Sequence, residues 1–103
     1  MEGTELVAFN IIASVGTARS CYITAIDEAA AGNFDEAEAL VKEGKEAFNG
    51  GHAAHHELLT KMANGEEIVM TLLMTHAEDQ LMSAEAFGIL AEKFIALYKS
   101  LKA

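Results

Sequence analysis

What most constrains this chain is where a helix in it can stop. It has no proline, and glycine and asparagine stand side by side at three places: Gly32-Asn33, Asn49-Gly50-Gly51 and Asn64-Gly65. Without proline nothing forbids a helix interior, and glycine supplies the left-handed residue on which helices commonly end. Between these marks apolar residues recur at helical spacing. The first helix is expected from about Thr4 to Ala31, carried by Val7, Ile11, Ser14, Ala18, Tyr22, Ala25 and Ala29. Gly32 ends it, and Asn33, with Glu36 three residues on, has the form of a capping box for the next helix.

The second helix runs from Phe34 through Ala37, Leu40, Val41, Ala47 and Phe48. Asn49-Gly50-Gly51 is locally a turn signal. The periodicity nevertheless continues in phase through Ala54, Leu58 and Met62, and Gly44, Gly51 and Ala54 share a small-residue face. One long helix, weakened or bent here, is therefore expected. After Asn64-Gly65 a third helix is expected from about Glu66 to Leu101, with two adjacent stripes. One is Ile68, Leu72, Thr75, Asp79, Met82, Ala86 and Ile89, at the 3.5-residue period of a coiled-coil seam. The other is Val69, Leu73, His76, Gln80, Ser83, Phe87, Leu90, Phe94 and Leu97. Two stripes suggest packing on the same chain and on another copy. The fold class is all-α: an antiparallel three-helix bundle, one domain over 1–103, assembling into a homo-oligomer. Met62, Met70, Met74 and Met82 read as core fillers.

Charge narrows the function classes. Sixteen acidic against seven basic residues give a formal net charge of −9, which repels phosphate backbones and argues against nucleic acid. It suits solubility or docking to a basic protein patch. Cys21 is alone, so no internal disulfide forms. The acidic start Met1-Glu2-Gly3-Thr4-Glu5-Leu6 is no secretory signal, and the longest apolar run falls short of the ~20 residues that span a bilayer. A soluble cytoplasmic protein without membrane insertion is expected.

Chemistry concentrates in one turn. The run Ile68-Val69-Met70-Thr71-Leu72-Leu73-Met74 is interrupted by Thr75-His76-Ala77-Glu78-Asp79-Gln80 before Leu81-Met82 resumes it. His76, Asp79 and Gln80, at i, i+3 and i+4, share one side of a helix. Their burial among Leu and Met would be costly unless compensated. His76 reads either as a core histidine bonded to a carbonyl or as a nucleophile, proton carrier or metal ligand. Asp79 is either a register-setting polar residue on the seam or, where copies meet, one of several carboxylates that must share a proton or a hard cation such as Mg²⁺. Gln80 can donate to an anion carried on His76, or is a solvated helix residue. His52, His55 and His56 have zinc-ligand spacing but read better as a polar face. Gly16, inside a helix, allows close approach at the active turn or close helix packing.

His76-Ala77-Glu78-Asp79-Gln80-Leu81-Met82, preceded by Leu72-Leu73-Met74, resembles the signature of enzyme IIA of the lactose/cellobiose class of the bacterial phosphotransferase system. Phe9-Asn10-Ile11-Ile12, Gly16, Ala18-Arg19-Ser20, Gly32-Asn33-Phe34 and Leu90-Ala91-Glu92 resemble other parts of that family, so the likeness spans the chain. The resemblance implies a homotrimer of three-helix subunits. In it His76 accepts a phosphoryl group from phospho-HPr and passes it to a cysteine of the IIB component, which serves the IIC permease. Asp79 would meet its symmetry mates around one metal ion on the trimer axis. The chain departs from the family pattern at Glu78 and Gln80, where members commonly carry Gln and His. Outside this class stand a histidine phosphotransfer domain of two-component signalling, which usually follows its histidine with Lys-Gly, and a noncatalytic trimeric scaffold. Glu78 is expected to face outward.

Overall fold

The computed structural model describes residues 3–102; Met1, Glu2 and Ala103 lie outside them. The three expected helices are present: α1 (Gly3–Ala30), α2 (Phe34–Ala63) and α3 (Leu72–Lys102). They are 28, 30 and 31 residues long, about 42–47 Å each, in a bundle measuring 54 × 24 × 19 Å. Among the described residues there are no strands. α1 packs against both other helices, whereas α2 and α3 touch each other least.

The turns follow from glycine. Gly32 (φ +87°) and Gly65 (φ +89°) take the left-handed conformation. The Asn33 amide then reaches back to the Glu28 carbonyl and the Glu66 amide to that of Lys61, closing each helix end as a Schellman-type cap. The expected capping box does not form. Asn33 Nδ2 donates to Glu28 Oε2 at 2.9 Å instead, and its side chain makes no bond to the α2 amides. α2 runs unbroken through Asn49-Gly50-Gly51.

The start of α3 differs from expectation. Residues 66–71 are not helical, and the helix begins at Leu72, after Thr71, whose Oγ1 accepts the Met74 amide at 3.1 Å. That bond satisfies one of the amides that the first helical turn leaves free. Ile68 and Val69 therefore precede the helix and do not open its stripes.

The core is lined by small residues. α1 buries Ala8, Ile11, Val15, Ala18, Tyr22, Ala25 and Ala29. α3 buries Met74, Ala77, Leu81, Ala84, Gly88, Ala91 and Ile95, a third stripe distinct from both expected ones. Alanine and glycine on facing helices let the axes approach, and between them only a few larger side chains, such as Tyr22, Met74 and Leu81, are enclosed. Others lie outside: Leu72 is 88% exposed, Met82 70% and Ile89 54%. Of the four methionines expected in the core, Met74 is buried, while Met62, Met70 and Met82 are exposed. Tyr22 is clamped between α2 and α3. A Cβ at Gly44 would come within 2.6 Å of its ring and one at Gly88 within 2.9 Å.

By length and composition alone α1 is apolar enough to cross a membrane (mean hydropathy 1.4 over its most apolar 18 residues), a test that the core helix of a bundle also passes. In the bundle its buried stripe is committed to α2 and α3, and Asn10, Ser14, Thr17, Arg19 and Ser20 recur along it.

Candidate functional site

His76 lies one turn into α3 and is exposed, as is Asp79. The desolvation cost expected for them is thus not incurred within one chain. Side chains on a helix lean toward its N-terminus, so an anion on the His76 ring would sit near the positive end of the α3 dipole. Gln80, one turn further, is half-buried, and its Oε1 accepts a 2.5 Å hydrogen bond from Arg19 of α1. This bond joins residues 61 apart in sequence, so local reading could not find it. The described turn therefore presents an imidazole, an anchored amide and a guanidinium along the α1–α3 seam.

Glu78 turns away from His76 toward α2 and stays partly open to solvent. It is half-buried against α2, with Oε1 3.1 Å from His55 Nε2, which corrects the outward placement. Of the other histidines, His52 stacks on Phe48 with ring centroids 5.9 Å apart, and His56 is exposed. Among the described residues no three His, Cys, Asp or Glu side chains converge on a possible metal position. Asp79 gives one carboxylate per chain, flanked by exposed Leu72 and Met82. It fits a divalent ion only as one ligand of a set assembled from several copies. Gly16 has no neighbour within 4 Å of where a Cβ would stand, so packing within the chain does not explain it.

The larger grooves lie elsewhere. One of about 450 Å³ between α2 and α3 is lined by Val41, Lys45, Glu92, Ile95 and Lys99, at least ~24 Å along α3 from His76. It is bridged by the Lys45–Glu92 and Lys99–Glu38 pairs. The site is thus an exposed helix face, suited to meeting another protein rather than enclosing a small molecule.

Residues 6–99 match the family described as the lactose/cellobiose-specific IIA subunit of the phosphotransferase system (PTS). The chain belongs to this family. It is similar to the lactose-specific EIIA component of Staphylococcus aureus strain N315, with 36% identity over 98 residues and 95% of each chain covered. Among solved structures it resembles the cellobiose-specific enzyme IIA of Bacillus anthracis, with a TM-score of 0.94 and 37% identity over 99% of this chain and 94% of that one. It also resembles chains in solution structures of the IIA(Chitobiose)–HPr complex, over the full length of both chains. The TM-score is 0.87 at 28% identity in one. It is 0.77 at 30% identity in another, from the N,N'-diacetylchitobiose branch of the Escherichia coli phosphotransferase system. As a IIA component the protein is part of the sugar phosphotransferase machinery and a phosphotransferase component in its own right. This membership favours a phosphocarrier over a two-component phosphotransfer domain or an inert scaffold.

Proposed function

We propose that this IIA protein carries a phosphoryl group on His76, taking it from phospho-HPr and giving it to a cysteine of the cognate IIB component during uptake of a lactose-, cellobiose- or chitobiose-type sugar. The observation that carries this reading is the exposed His76 imidazole with an anchored amide, Gln80, one turn away on the same helix face. The HPr partner is supported by the likeness to the IIA chains solved with HPr. A partner-facing site on cytoplasmic components fits the open helix face. The IIC permease is served indirectly, through IIB.

The chemistry is a pair of in-line displacements. A free ring nitrogen of neutral His76 attacks the phosphorus of phospho-HPr; a nitrogen–phosphorus bond forms on His76 as the bond to HPr breaks, and its electron pair leaves with HPr. In the second step the IIB thiolate attacks, a sulfur–phosphorus bond forms, and His76 is released neutral. In such transfers the protein mainly supplies position and charge stabilisation. Gln80 offers an amide donor to the phosphoryl oxygens, and the α3 amino-terminal end a favourable dipole.

The assembly proposed is a homotrimer joined through the apolar outer face of α3. Three Asp79 carboxylates meeting on its axis would repel one another, and a divalent ion such as Mg²⁺, with water completing its shell, would offset this repulsion. The ion's part is to hold the subunits; the phosphoryl steps belong to His76.

The deciding experiment passes phosphate from phosphoenolpyruvate through enzyme I and HPr and compares wild type with His76→Ala by intact mass. Gain of one phosphoryl group by wild type alone is expected. Gain by both proteins would move the site elsewhere, and gain by neither, with the relay active on another carrier, would overturn the reading.

A further inference from the structure

Arg19 is the feature of the site that the proposed chemistry leaves unused. It is half-buried on α1, and among the described residues it forms no ion pair with any carboxylate, despite the excess of acidic groups. Its guanidinium spends a hydrogen bond on a neutral amide, Gln80 Oε1, at 2.5 Å. Arginine has donors only, so it can meet only the oxygen of a carboxamide. The contact therefore fixes which way the amide points: Oε1 toward α1, and the NH₂ group on the opposite side. Gln80 lies one turn beyond His76, and its side chain leans back along α3 toward that residue. A bond from a cation also draws electron density from the amide oxygen and strengthens its N–H groups as donors.

We propose that Arg19 is a positioning residue, which holds the Gln80 amide as an obligate hydrogen-bond donor toward the phosphoryl group on His76. The proposal rests on the reading of His76 as the phosphoryl carrier. An unanchored glutamine would present oxygen or nitrogen to the phosphoryl group with similar ease, and the oxygen repels it. Anchoring removes the repulsive orientation without placing a second titrating group beside the histidine. Arg19 acts through Gln80 and not on phosphate directly.

A double-mutant cycle tests this. The initial rate of phosphorylation by phospho-HPr is measured for wild type, Arg19→Met, Gln80→Met and the double variant, alongside helix content and thermal midpoint. Each single variant is expected to lose about tenfold in rate, the scale of one hydrogen bond to a charged group, and the double variant no more than either. Arg19→Lys, which keeps a cationic donor, should recover part of the loss. Gln80→Glu keeps the Arg19 partner but removes the NH₂ group, and should be slower than Gln80→Met. Additive losses in the double variant with an unchanged thermal midpoint would mean that Arg19 contacts the phosphoryl group itself and would overturn the positioning role. Losses that follow the thermal midpoint would reduce Arg19 to a structural residue. Failure of wild type to gain phosphate would instead remove the underlying carrier reading, an outcome separate from the other two.

Discussion

α2 and α3 each lay one edge on α1, yet their far faces differ. α2 turns Glu36, Lys42, Glu43, Glu46, Asn49, His56, Glu57 and Lys61 outward. α3 turns out Leu72, Met82, Ile89, Leu90, Leu97 and Leu101. α2 leaves large apolar residues open only near its C-terminal end, at Leu59 and Met62, whereas α3 leaves them open along its length. Large apolar side chains left open along one helix are the kind of surface that marks an interaction site. His76 and Asp79 share α3 with that face. The comparison teaches that α2 mainly supports, while α3 both completes the core and carries most of the open apolar residues.

The largest effect should come from charging that open face. In the proposed trimer, Met82→Glu combined with Ile89→Glu removes two apolar anchors per copy, each contributing about 1.5–3 kcal/mol when buried, and places like charges together. Sedimentation should find a monomer of retained helix content. Glu46→Lys on the outer face of α2 should leave the assembly intact. Asp79→Leu should keep it too, because an apolar knob replaces mutually repelling carboxylates. A wild-type sedimentation coefficient for the doubly charged variant would break the distinction between the helices, and a monomer for Asp79→Leu would make a shared cation the main joint.

That contrast was partly legible in the sequence. The ends of α1 and α2 could be placed from Gly32 and Gly65, because a positive φ there is a local requirement. The excess apolar character of α3 was legible as well. Which of its faces meets α1 was not, since a periodicity reading weights large residues, and here the inner stripe is Ala77, Ala84, Gly88 and Ala91 while Leu72 and Met82 stay outside. The onset of α3 was missed because residues 66–71 keep helical spacing; the signal available was Thr71, an N-cap residue type, whose hydroxyl accepts the Met74 amide. At the site, His76, Asp79 and Gln80 could be picked out as neighbours, being a local pattern. Arg19 at Gln80 and His55 at Glu78 depend on how separate helices align.

The inner stripe can be probed at Gly88. A Cβ there would stand 2.9 Å from the Tyr22 ring, already held on its other side by Gly44. Overpacking costs about 1–3 kcal/mol, against a gain of about 1 kcal/mol in helix propensity. Gly88→Ala is thus expected to lower stability by up to about 2 kcal/mol in urea unfolding at fixed protomer concentration. A stabilised variant would mean that Tyr22 yields easily and that the α1–α3 spacing is not set by small residues.

The same tyrosine gives a pH signature. Burial first, then the charges of Glu92 and Cys21, push its hydroxyl above the ordinary value of 10.0. The folded protein therefore holds this proton more tightly than the unfolded chain. The associated stability is intact below pH 10 and is lost as pH rises through the folded pKa. Wild type should lose more stability than Tyr22→Phe between pH 9 and 11, and equal losses would place the ring in a wetter setting than the clamp between Gly44 and Gly88.

The smallest effect separates two adjacent glycines on α2. Gly51 is buried, and a Cβ there would come within 2.8 Å of Val15; Gly50 is exposed, and its nearest approach would be 3.4 Å, to the Ser14 hydroxyl. Both sit inside an unbroken helix, where glycine is less favourable than alanine by roughly 0.5–1 kcal/mol. At Gly50 nothing opposes that gain, so Gly50→Ala should stabilise by about that amount. At Gly51 the crowding of a buried, branched valine should reverse the sign. Urea unfolding of the two variants reads the difference directly. Equal stabilisation by both would mean that α2 and α1 can move apart at no cost at this level of the bundle.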